Sequence, residues 1–420
     1  LLLIMIKENR YGWLVAITGG VNGFLSSGPT FFASSVIFRA VENEFNWSRT
    51  LVSGVATFGR FGGSLFGPFE GWLIDKFGVG KMVFIGFFLA GLGLICFSLI
   101  QNAIQYYLSF FLISLGFSIG GFTPSITAVN NWVSNRKATA MSLVTIGSTM
   151  GALTAPILVW GISDIGWRYT ILILGVIILV AGVPLARVLG KPAPKISTSN
   201  VVSTTKVEIR NTEFTPKEAL KTRSFWALSL SHMLVNASLG ALMAHIYFYL
   251  TDKNGPNLDP EIAGIILPIM AIFSMMFQFV GGILGDTFSK RFLASGFIAV
   301  QGLSILLLIM ADTLTGVYIF AVVWGIGYGG RNPLIHAMRG EYFGRKHFAT
   351  ITGLSSLGVG ISMMISPLLV GMFFDIQNSY EKSFYVLFML CLVSSLVIIF
   401  STKPIKKHDT TTRDNLSDLG

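Results

Sequence analysis

The segment GWLIDKFGVGK (residues 71–81) stands between two long apolar runs, and part of its pattern returns in the second half of the chain as GILGDTF (residues 282–288). Each copy places an aspartate four positions after a glycine and a phenylalanine two positions after the aspartate. Each copy also follows the second apolar run of its half. An internal duplication accounts for a match in both composition and position.

A second pair of segments supports the duplication. GGFTP (residues 120–124) corresponds to GGRNP (residues 329–333), and both lie in the fourth apolar run of their halves. The basic pair RK at residues 136–137 corresponds to RK at residues 345–346. We therefore expect two structural repeats of six helices each.

The composition is that of a chain solvated by lipid. Hydrophobic residues make up 52% and charged residues only 12%, with a mean hydropathy of +0.69, whereas soluble domains carry about 25% charged residues. We predict an all-α integral membrane protein with twelve transmembrane helices in two pseudo-symmetric six-helix bundles, since a span needs about 20 apolar residues. The predicted spans are residues 11–38, 50–74, 82–101, 104–130, 138–163, 168–189, 224–250, 261–285, 292–311, 315–338, 349–374 and 382–401.

The loop charges predict the orientation. Lysine and arginine collect in the loops on the side of the N-terminus, and we count Arg136, Lys137, Arg339 and Arg345 among these loop residues. Because basic loops stay in the cytoplasm, we expect a multi-pass protein of the cell (inner) membrane with both termini cytoplasmic. The opposite side has only Arg39, Arg49, Arg168, Lys253 and Lys382.

A polar segment separates the two halves. Residues 191–223 are rich in Pro, Ser and Thr and have no apolar period that could form a core. Thr215, Pro216 and Glu218 form a capping-box pattern, which predicts a short surface helix before the seventh span. The predicted organisation is an N-terminal bundle (1–190), a cytoplasmic linker with this helix (191–223), a C-terminal bundle (224–402) and a cytoplasmic tail (403–420).

Several function classes are excluded. The net charge of +10 is spread between apolar runs and not gathered on one face, so we expect no nucleic-acid partner. The two cysteines, Cys96 and Cys391, lie far apart in apolar runs and predict no disulfide framework and no metal site. No catalytic motif or paired carboxylate is present in the sequence, so we expect neither an enzyme nor a cofactor.

The segment at residues 71–81 resembles the G-x-L-x-D-R-x-G-x-R signature of the major facilitator superfamily, with a lysine in place of the usual arginine and the last lysine one position late. The glycine permits close helix packing, the aspartate can cap a neighbouring helix, and the lysines anchor the loop at the headgroups. An ordinary charged loop, the alternative, would not predict a second copy. The residues expected to control conformational gating are Gly71, Asp75, Lys76, Asp286, Lys290 and Arg291.

A narrower resemblance begins at NWVSNRKATAMSLVTIGSTMG (residues 131–151). It is similar to the signature of the monocarboxylate transporter family, in which an aromatic residue, a basic pair and small residues precede G-S-x-x-G. Tyr11-Gly12-Trp13 is similar to the family's opening motif, although the acidic residue that precedes it in the family is absent and Glu8 is the nearest. The resemblance spans the chain, extends to the oxalate/formate antiporter branch, and implies transport of a small organic anion.

The chain departs from that family in the eighth span. The family typically has an Asp and an Arg one turn apart there, and an alignment on Gly282 places Ser274 and Gln278 at these positions. The charge that binds a carboxylate must therefore come from elsewhere, or the substrate differs.

Two arginines are candidates for that charge. Arg60 lies midway along the second span with Ser and Thr on its helical face, and Arg331 lies beside Pro333 in the tenth. A membrane arginine is costly unless it is paired or faces water, and its guanidinium matches a carboxylate with two hydrogen bonds. The alternative for each is a structural ion pair or a side chain that reaches one membrane surface. The predicted substrate-binding set is Arg331, Arg60, Asn22, Tyr328, Asn332, His232, Asn236 and Gln278.

Two other residues are candidates for proton coupling, Glu70 and His336. Glu70 is the acidic residue of an apolar span, and its alternative role is a salt bridge to Arg339 or Arg136 near the cytoplasmic face. A membrane histidine such as His336 or His232 can relay a proton or simply hydrogen-bond another helix.

These features predict a secondary transporter that moves a small, monocarboxylate-like organic anion by alternating access, through proton symport or anion exchange. Its partners would be the anion, the lipid bilayer and, as a further candidate, protons. One alternative is a carrier of another small solute, such as a sugar or a drug-like molecule. The other is a transport-silent membrane receptor, which would not need polar residues inside its spans.

Overall fold

The computed structural model describes residues 10–29, 34–193, 213–253, 255–311 and 313–406. Within these ranges, the side chains at positions 35, 49, 50, 53, 56–65, 260 and 261 are not part of the description. The predicted site residue Arg60 thus has its backbone in a helix and its side chain outside the described part. Most of the predicted linker, residues 194–212, and most of the predicted tail, residues 407–420, also lie outside it.

The described chain is a succession of α-helices whose order follows the predicted spans. The first half contains α1 (Arg10–Ser27), α2 (Ser34–Phe45), α3 (Arg49–Phe77), α4 (Val79–Ser98), α5 (Ala103–Gly120), α6 (Phe122–Trp132), α7 (Lys137–Met150), α8 (Thr154–Ile165) and α9 (Trp167–Leu189). The second half contains α10 (Pro216–Leu220), α11 (Arg223–Thr251), α12 (Pro260–Thr287), α13 (Lys290–Ile309), α14 (Leu314–Phe343), α15 (Phe348–Gln377) and α16 (Glu381–Ile399).

Two predicted spans are divided: the fourth corresponds to α5 and α6, and the fifth to α7 and α8 with a 3₁₀ turn at Gly151–Leu153 between them. The first predicted span is covered by α1 and the start of α2, with residues 30–33 outside the described part. In the fourth span, the amide nitrogen of Asn22 lies 2.9 Å from the carbonyl oxygen of Gly120 and 2.8 Å from that of Gly121, so a side chain of α1 satisfies backbone groups at the break.

Nine spans of the described chain are long and apolar enough to cross a membrane, when α5 with α6 and α7 with α8 are each taken as one. The three predicted spans outside these nine are the first, the second (α3) and the tenth (α14). These are also the spans in which Asn22, Glu70 and Arg331 are buried. Other candidate polar residues, His232, Asn236 and Gln278, are buried in helices that do meet the criterion.

The helix packing repeats between the two halves. In the first half α1 packs on α7, α4 on α9 and on α5, and α3 on α5. In the second half the corresponding pairs are α11 with α15, α13 with α16 and with α14, and α12 with α14. The two halves meet through α3 with α15 and through α12 with α7, which is again a reciprocal pair. The contacts show the pseudo-two-fold relation that the sequence repeats predict.

Glycines allow the closest helix approaches. A Cβ atom on Gly147 of α7 would lie 2.1 Å from the carbonyl oxygen of Gly20 on α1, so the two backbones touch directly. The outward faces are apolar instead: on α9, Ile173, Val176 and Val180 are exposed. Such a face suits contact with lipid tails and not with water.

The short helix α10 begins with the expected capping box. The hydroxyl of Thr215 accepts the backbone N–H of Glu218, whose carboxylate accepts the N–H of Thr215 in return. That backbone hydrogen bond, with a smaller contribution from Lys406, holds the pKa of Glu218 below its ordinary value despite partial burial. Just before the helix, Glu213 accepts the backbone N–H groups of Arg345 and Lys346. The segment from residue 213 is therefore fixed to the end of α14.

Candidate functional site

Three titratable side chains are buried together in the C-terminal half of α14. Arg331, His336 and Arg339 are all buried on this helix, and Arg331 and Arg339 are the two largest side chains among the fully buried residues. Burying two guanidinium groups costs free energy unless partners compensate them. The partners of each arginine therefore show what this region can bind.

Arg331 finds one partner in the described protein. Its Nε donates to Oε1 of Gln301 on α13 at 2.7 Å, and its Cζ lies 5.2 Å from the centroid of the Tyr328 ring. Nη1 and Nη2 are buried and have no hydrogen-bond partner. The predicted burial of Arg331 is therefore found, while the predicted alternatives of an ion pair and of a side chain reaching the membrane surface are not.

The other predicted residues of this segment surround that guanidinium. The half-buried Tyr328 ring stacks on Trp324, with ring centroids 4.9 Å apart and an angle of 13° between the planes. Asn332 is half-buried next to Arg331. The aromatic pair presents a ring face to the cation, which is a stabilising arrangement.

Arg339 lies eight positions further along α14 and has a different partner. Its Nη2 is 2.8 Å from Nδ1 of His232 on α11, whereas Nε and Nη1 are buried without a partner. The His336 ring lies between this pair and the first half of the chain: its centroid is 6.1 Å from that of His232 and 5.2 Å from that of Phe122 on α6. Nδ1 of His336 is also unpartnered.

Asn22 is occupied by helix packing. Besides the two carbonyl oxygens at the break in the fourth span, its amide nitrogen lies 2.7 Å from the hydroxyl of Ser125. Its Oδ1 is buried and unpartnered. The amide thus joins α1 to α6, and only the carbonyl oxygen is left for another partner.

Two further predicted amides, Asn236 and Gln278, also have protein partners. Asn236 donates to the backbone carbonyl of His232 within α11 at 2.7 Å. Gln278 of α12 donates to the hydroxyl of Thr149 on α7 at 2.9 Å and to that of Ser274 at 3.1 Å. The residue that stands where the resemblance expects an arginine therefore links the two halves of the molecule.

Glu70 has a neutral partner. The hydroxyl of Ser118 on α5 donates to its carboxylate, and the side chain is buried. No ion pair involves Glu70 in the described part of the chain, so the alternative salt bridge to Arg339 or Arg136 was wrong. Glu70 remains a predicted proton-coupling residue.

The two aspartates of the repeated motif cap helices of the opposite half. Asp75 at the end of α3 accepts the backbone N–H groups of Ala349 and Thr350 at 3.2 and 2.8 Å, and the Thr350 hydroxyl at 2.5 Å. These groups form the first turn of α15. A carboxylate at a helix N-terminus satisfies free N–H groups and complements the helix dipole.

Asp286 repeats this arrangement in the other direction. Its carboxylate accepts the backbone N–H groups of Ala138 and Thr139 at 2.8 and 2.9 Å, and the Thr139 hydroxyl at 2.5 Å. Asp286 thus joins α12 to the first turn of α7. Together the caps hold the two halves at the loop end that the basic residues predict to be cytoplasmic.

The other predicted gating residues lie around these caps. A Cβ on Gly71 would be 2.3 Å from the carbonyl oxygen of Ala349, so this glycine permits the contact between α3 and α15. The ammonium of Lys76 lies 4.5 Å from the centroid of the exposed Trp72 ring, and Lys290 pairs with Glu341 at 2.9 Å. Arg291 covers the ring of the phenylalanine that follows it.

Two buried cations, Arg339 and Lys137, were not predicted, because basic residues near the ends of apolar runs have the pattern of loop residues. Arg339 lies inside α14, which continues to Phe343, and Lys137 is buried with its ammonium 2.8 Å from Oδ1 of Asn130. The helical spacing was the available signal, because Arg339 follows His336 by three positions and so shares its face. Gln301, the partner of Arg331, lies in an apolar run without any motif.

Comparison with known proteins gives a family and a fold. A family model described as Major Facilitator Superfamily matches residues 16–276 and 253–419. Curated relatives include Monocarboxylate transporter 2 of Mus musculus, 24% identical over 410 residues that cover 93% of this chain and 84% of the relative. Monocarboxylate transporter 13 of Bos taurus is 24% identical, with coverage of 96% and 94%.

Solved structures with the same fold have lower identity. A Major Facilitator Superfamily transporter, FucP, in the outward conformation superposes with a TM-score of 0.71 at 14% identity, covering 94% of this chain and 100% of that chain. A bacterial homologue of the iron transporter ferroportin in an outward-facing state gives 0.70 at 17% identity, with coverage of 91% and 98%. These matches confirm the predicted fold of two six-helix bundles.

Proposed function

The chain belongs to the Major Facilitator Superfamily, and from this premise we propose that it is a secondary transporter that moves a small, monocarboxylate-like organic anion by alternating access. Family membership makes it a multi-pass membrane transporter of small solutes and not an enzyme. The anionic substrate class is the proposal. It agrees with the names of the curated relatives, which are monocarboxylate transporters at 24% identity.

The observation that carries the proposal is the uncompensated guanidinium of Arg331. Among the described residues, both terminal nitrogens are buried and unpartnered, and the one hydrogen bond of this side chain goes to the neutral Gln301. An arginine at the centre of a membrane helix costs about 3 kcal/mol on insertion scales. A carboxylate bound to the two free nitrogens would satisfy both the N–H groups and the charge. Neither a sugar nor a cationic drug would neutralise this charge.

Arg331 takes the role that the resemblance would give to an arginine in the eighth span. Gln278 occupies that position and is engaged with Thr149 and Ser274. The proposed anion site therefore lies on α14, where Tyr328 and Asn332 adjoin the guanidinium, and not on α12, where the family resemblance would place it. Arg60 of α3 is kept as a second proposed anion contact, together with the other members of the predicted substrate-binding set.

The caps suggest how the two sides would open in turn. Asp75 and Asp286 join the halves at one end only, through groups that a rocking motion would separate. We propose that they close the cytoplasmic end while the site is reached from outside. We further propose that the protein lies in the cell (inner) membrane with both termini cytoplasmic, and that bundles at 1–190 and 224–402 are joined by the linker at 191–223 and followed by a cytoplasmic tail at 403–420.

Counterflow in proteoliposomes tests the substrate class. Vesicles loaded with short monocarboxylates, dicarboxylates or neutral analogues of the same size are diluted into the labelled compound. We expect exchange of monocarboxylates and none of the neutral analogues. Exchange of neutral analogues alone would favour a carrier of another solute, and no exchange at all would favour a transport-silent receptor.

Variants of Arg331 test the site in the same assay. Arg331→Lys keeps the charge but loses the planar fork, and should weaken carboxylate binding. Arg331→Gln should weaken it further, by about ten- to a hundredfold, since one hydrogen bond to a charged group contributes about 1.5–3 kcal/mol. Arg187→Gln is the control, because it removes an exposed arginine at the end of α9. Unchanged affinity in Arg331→Gln would refute the assignment.

A further inference from the structure

The contact between Arg339 and His232 fixes the protonation of the imidazole. A guanidinium can donate hydrogen bonds and cannot accept them. Since Nη2 of Arg339 lies 2.8 Å from Nδ1 of His232, this nitrogen must accept and carries no proton. His232 is therefore neutral in this arrangement, with its proton on Nε2. A proton added to Nδ1 would break the contact.

A simple structural hydrogen bond between α11 and α14 would not leave so much unsatisfied. Nε and Nη1 of Arg339 and Nδ1 of His336 are buried without partners, and the side chains of both residues are at least nine-tenths buried. Each unsatisfied buried group costs about 1–3 kcal/mol, and charged groups cost more. The cluster thus has the donors of an anion site but no anion among its protein partners.

The described side chains that contact the His232 imidazole are positive or neutral. Arg339 lies 2.8 Å from its Nδ1, and the His336 ring centroid lies 6.1 Å from its own, both on α14. The helices packed against α11 contribute neutral hydroxyl groups to that helix. Ser355 of α15 is hydrogen-bonded to Ser229, and Ser394 of α16 is hydrogen-bonded to Ser231. No carboxylate forms an ion pair with this cluster in the described ranges.

The cluster also lies at the boundary between the halves. The ring of Phe122 on α6 packs against His336, and a Cβ on the neighbouring Gly340 would lie 2.0 Å from Oδ1 of Asn130. Arg339 follows Arg331 by eight residues, which is about 12 Å along a helix. A ligand at Arg339 would therefore be separate from one at Arg331 and closer to the capped end.

We propose that Arg339, His232 and His336 form a second site for a small carboxylate, which is occupied when His232 takes up a proton. The proton would bind Nδ1 of His232, release Nη2 of Arg339, and leave three guanidinium nitrogens for the carboxylate. Proton and anion then favour each other, because the anion compensates the added charge. This inference rests on the proposed transport of organic anions and adds the place where the anion and a proton meet.

The test measures proton uptake on binding of L-lactate or formate to the purified full chain in detergent. Calorimetry in two buffers with different ionisation enthalpies gives the number of protons taken up, at about pH 5.5 and about pH 7.5, which bracket the range in which imidazole titrates. At the higher pH we expect about one proton per anion bound at the second site, which is about half a proton per anion when the site at Arg331 is filled as well, and binding to the second site about tenfold or more tighter at the lower pH.

Two variants identify the residues. His232→Asn places an amide oxygen near the position of Nδ1 that can accept from Arg339 but cannot be protonated, so proton uptake should vanish and affinity should lose its pH dependence. Arg339→Gln should weaken binding at the lower pH by about tenfold or more. His245→Asn is the matched control on the same helix, because Nε2 of His245 contacts the carbonyl of Pro367, away from the cluster. It should leave proton uptake unchanged.

The outcomes separate this inference from the proposed function. If the unmodified protein binds neither lactate nor formate, the anion proposal fails and the second site fails with it. If the unmodified protein binds them without proton uptake, only the second site is overturned, whether or not the variants fold. Persistent proton uptake in a folded His232→Asn variant would also overturn it.

Discussion

A guanidinium has five N–H bonds to satisfy, and Arg331 satisfies one of them within the described protein. The Tyr328 ring lies against the face of the guanidinium and stabilises its positive charge. It does not accept hydrogen bonds from the terminal N–H groups, which lie in the guanidinium plane. The terminal N–H groups are thus the free recognition surface, and their geometry favours a planar carboxylate. At this scale the chemistry of a single side chain restricts the class of ligand.

The sequence predicted that Arg331 is buried but could not predict its partner. Its position inside an apolar run beside a proline was sufficient for the first inference. Gln301 lies in another helix, and only the packing of α13 on α14 brings the two together. Arg339 was missed for a related reason, since a basic residue near the end of an apolar run has the same sequence signal whether its helix ends or continues.

The ion pair between Arg168 and Glu44, at the end opposite the caps, predicts a small pH dependence. Arg168 donates to the Glu44 carboxylate at 2.7 Å and holds its pKa below the ordinary value. The stabilisation is therefore present at neutral pH and lost as the pH falls below about 4. Both side chains are more than a third exposed, so we expect less than about 1 kcal/mol.

Thermal unfolding in detergent checks this dependence. Glu44→Gln should lower the melting temperature slightly at neutral pH, and the difference from the unmodified protein should disappear in acid. Glu381→Gln is the control for removing an exposed glutamate at the same predicted face, since no described ion pair involves it. A larger difference in acid than at neutral pH would contradict the ion-pair account.

At the scale of elements, the helix limits were predictable and the helix breaks were not. Predicted spans such as 168–189 and 349–374 correspond closely to α9 and α15. The break after Gly120 lies at Gly121 and just before Pro124, which has no N–H to bond the Gly120 carbonyl, and the Asn22 amide of α1 bonds that carbonyl instead. The corresponding GGRNP segment (residues 329–333) stays inside the continuous helix α14, so this motif alone does not tell a break from a continuous helix.

The two aspartate caps should control the closed end together. Asp75→Asn removes the charge while keeping an acceptor for the first turn of α15, and Asp286→Asn does the same for α7. An aspartate at a helix N-terminus contributes about 0.3–2 kcal/mol, so each variant should shift the population towards a cytoplasm-open state, and the double variant should shift it further. Asp164→Asn, an exposed aspartate on α8, is the control.

Distances between spin labels on the ends of α3 and α15 measure that shift. We expect a longer-distance population to grow in each cap variant and not in Asp164→Asn. Exchange rates should change more than substrate affinity, because the caps act on the conformational equilibrium and not on the site. A large loss of affinity with normal exchange would contradict this role.

Close helix contact at the caps predicts a second effect. Gly71→Ala would place a methyl group 2.3 Å from the carbonyl oxygen of Ala349, so α3 and α15 must separate. We expect loss of the closed state and a lower melting temperature, with overpacking costs of about 1–3 kcal/mol. Gly296→Ala on α13 is the matched control, because its Cβ would meet no atom within 4 Å. Equal melting temperatures for the two variants would show that the helices yield without cost.

At the scale of the molecule, the repeated motif and the reciprocal caps belong to one design. Duplication placed an aspartate at the end of α3 and of α12, and each reaches a helix of the other half. The pseudo-two-fold relation between the halves therefore produces two aspartate caps at the same end of the molecule. The sequence repeat predicted two equivalent halves, but the crossing of the caps depends on how the halves face each other, which no motif encodes.

The orientation of the whole molecule remains a prediction, and it follows from the loop charges. The capped end adjoins Lys76, Arg136, Lys290 and Arg345, whereas the other end has few basic residues. Basic loops resist translocation, so the capped end should be cytoplasmic. Cysteines introduced in place of Ser203 and Ser417, which lie outside the described residues, should then be cytoplasmic too. Cysteines in place of Gln101 and Asp164, both exposed at the opposite end, should face outward.

Labelling of intact cells with a membrane-impermeant maleimide tests this orientation. We expect the Gln101→Cys and Asp164→Cys variants to react at once, and the Ser203→Cys and Ser417→Cys variants to react only after the membrane is permeabilised. The unmodified protein gives the blank for the two native cysteines, of which Cys391 is buried and Cys96 is exposed near the end of α4. An even number of spans in each half places residues 203 and 417 on the same side. Labelling of the Ser203→Cys variant but not the Ser417→Cys variant in intact cells would therefore contradict the predicted span count. Labelling of both in intact cells would show the opposite orientation. Either result would place the aspartate caps differently and remove the basis for a cytoplasmic gate.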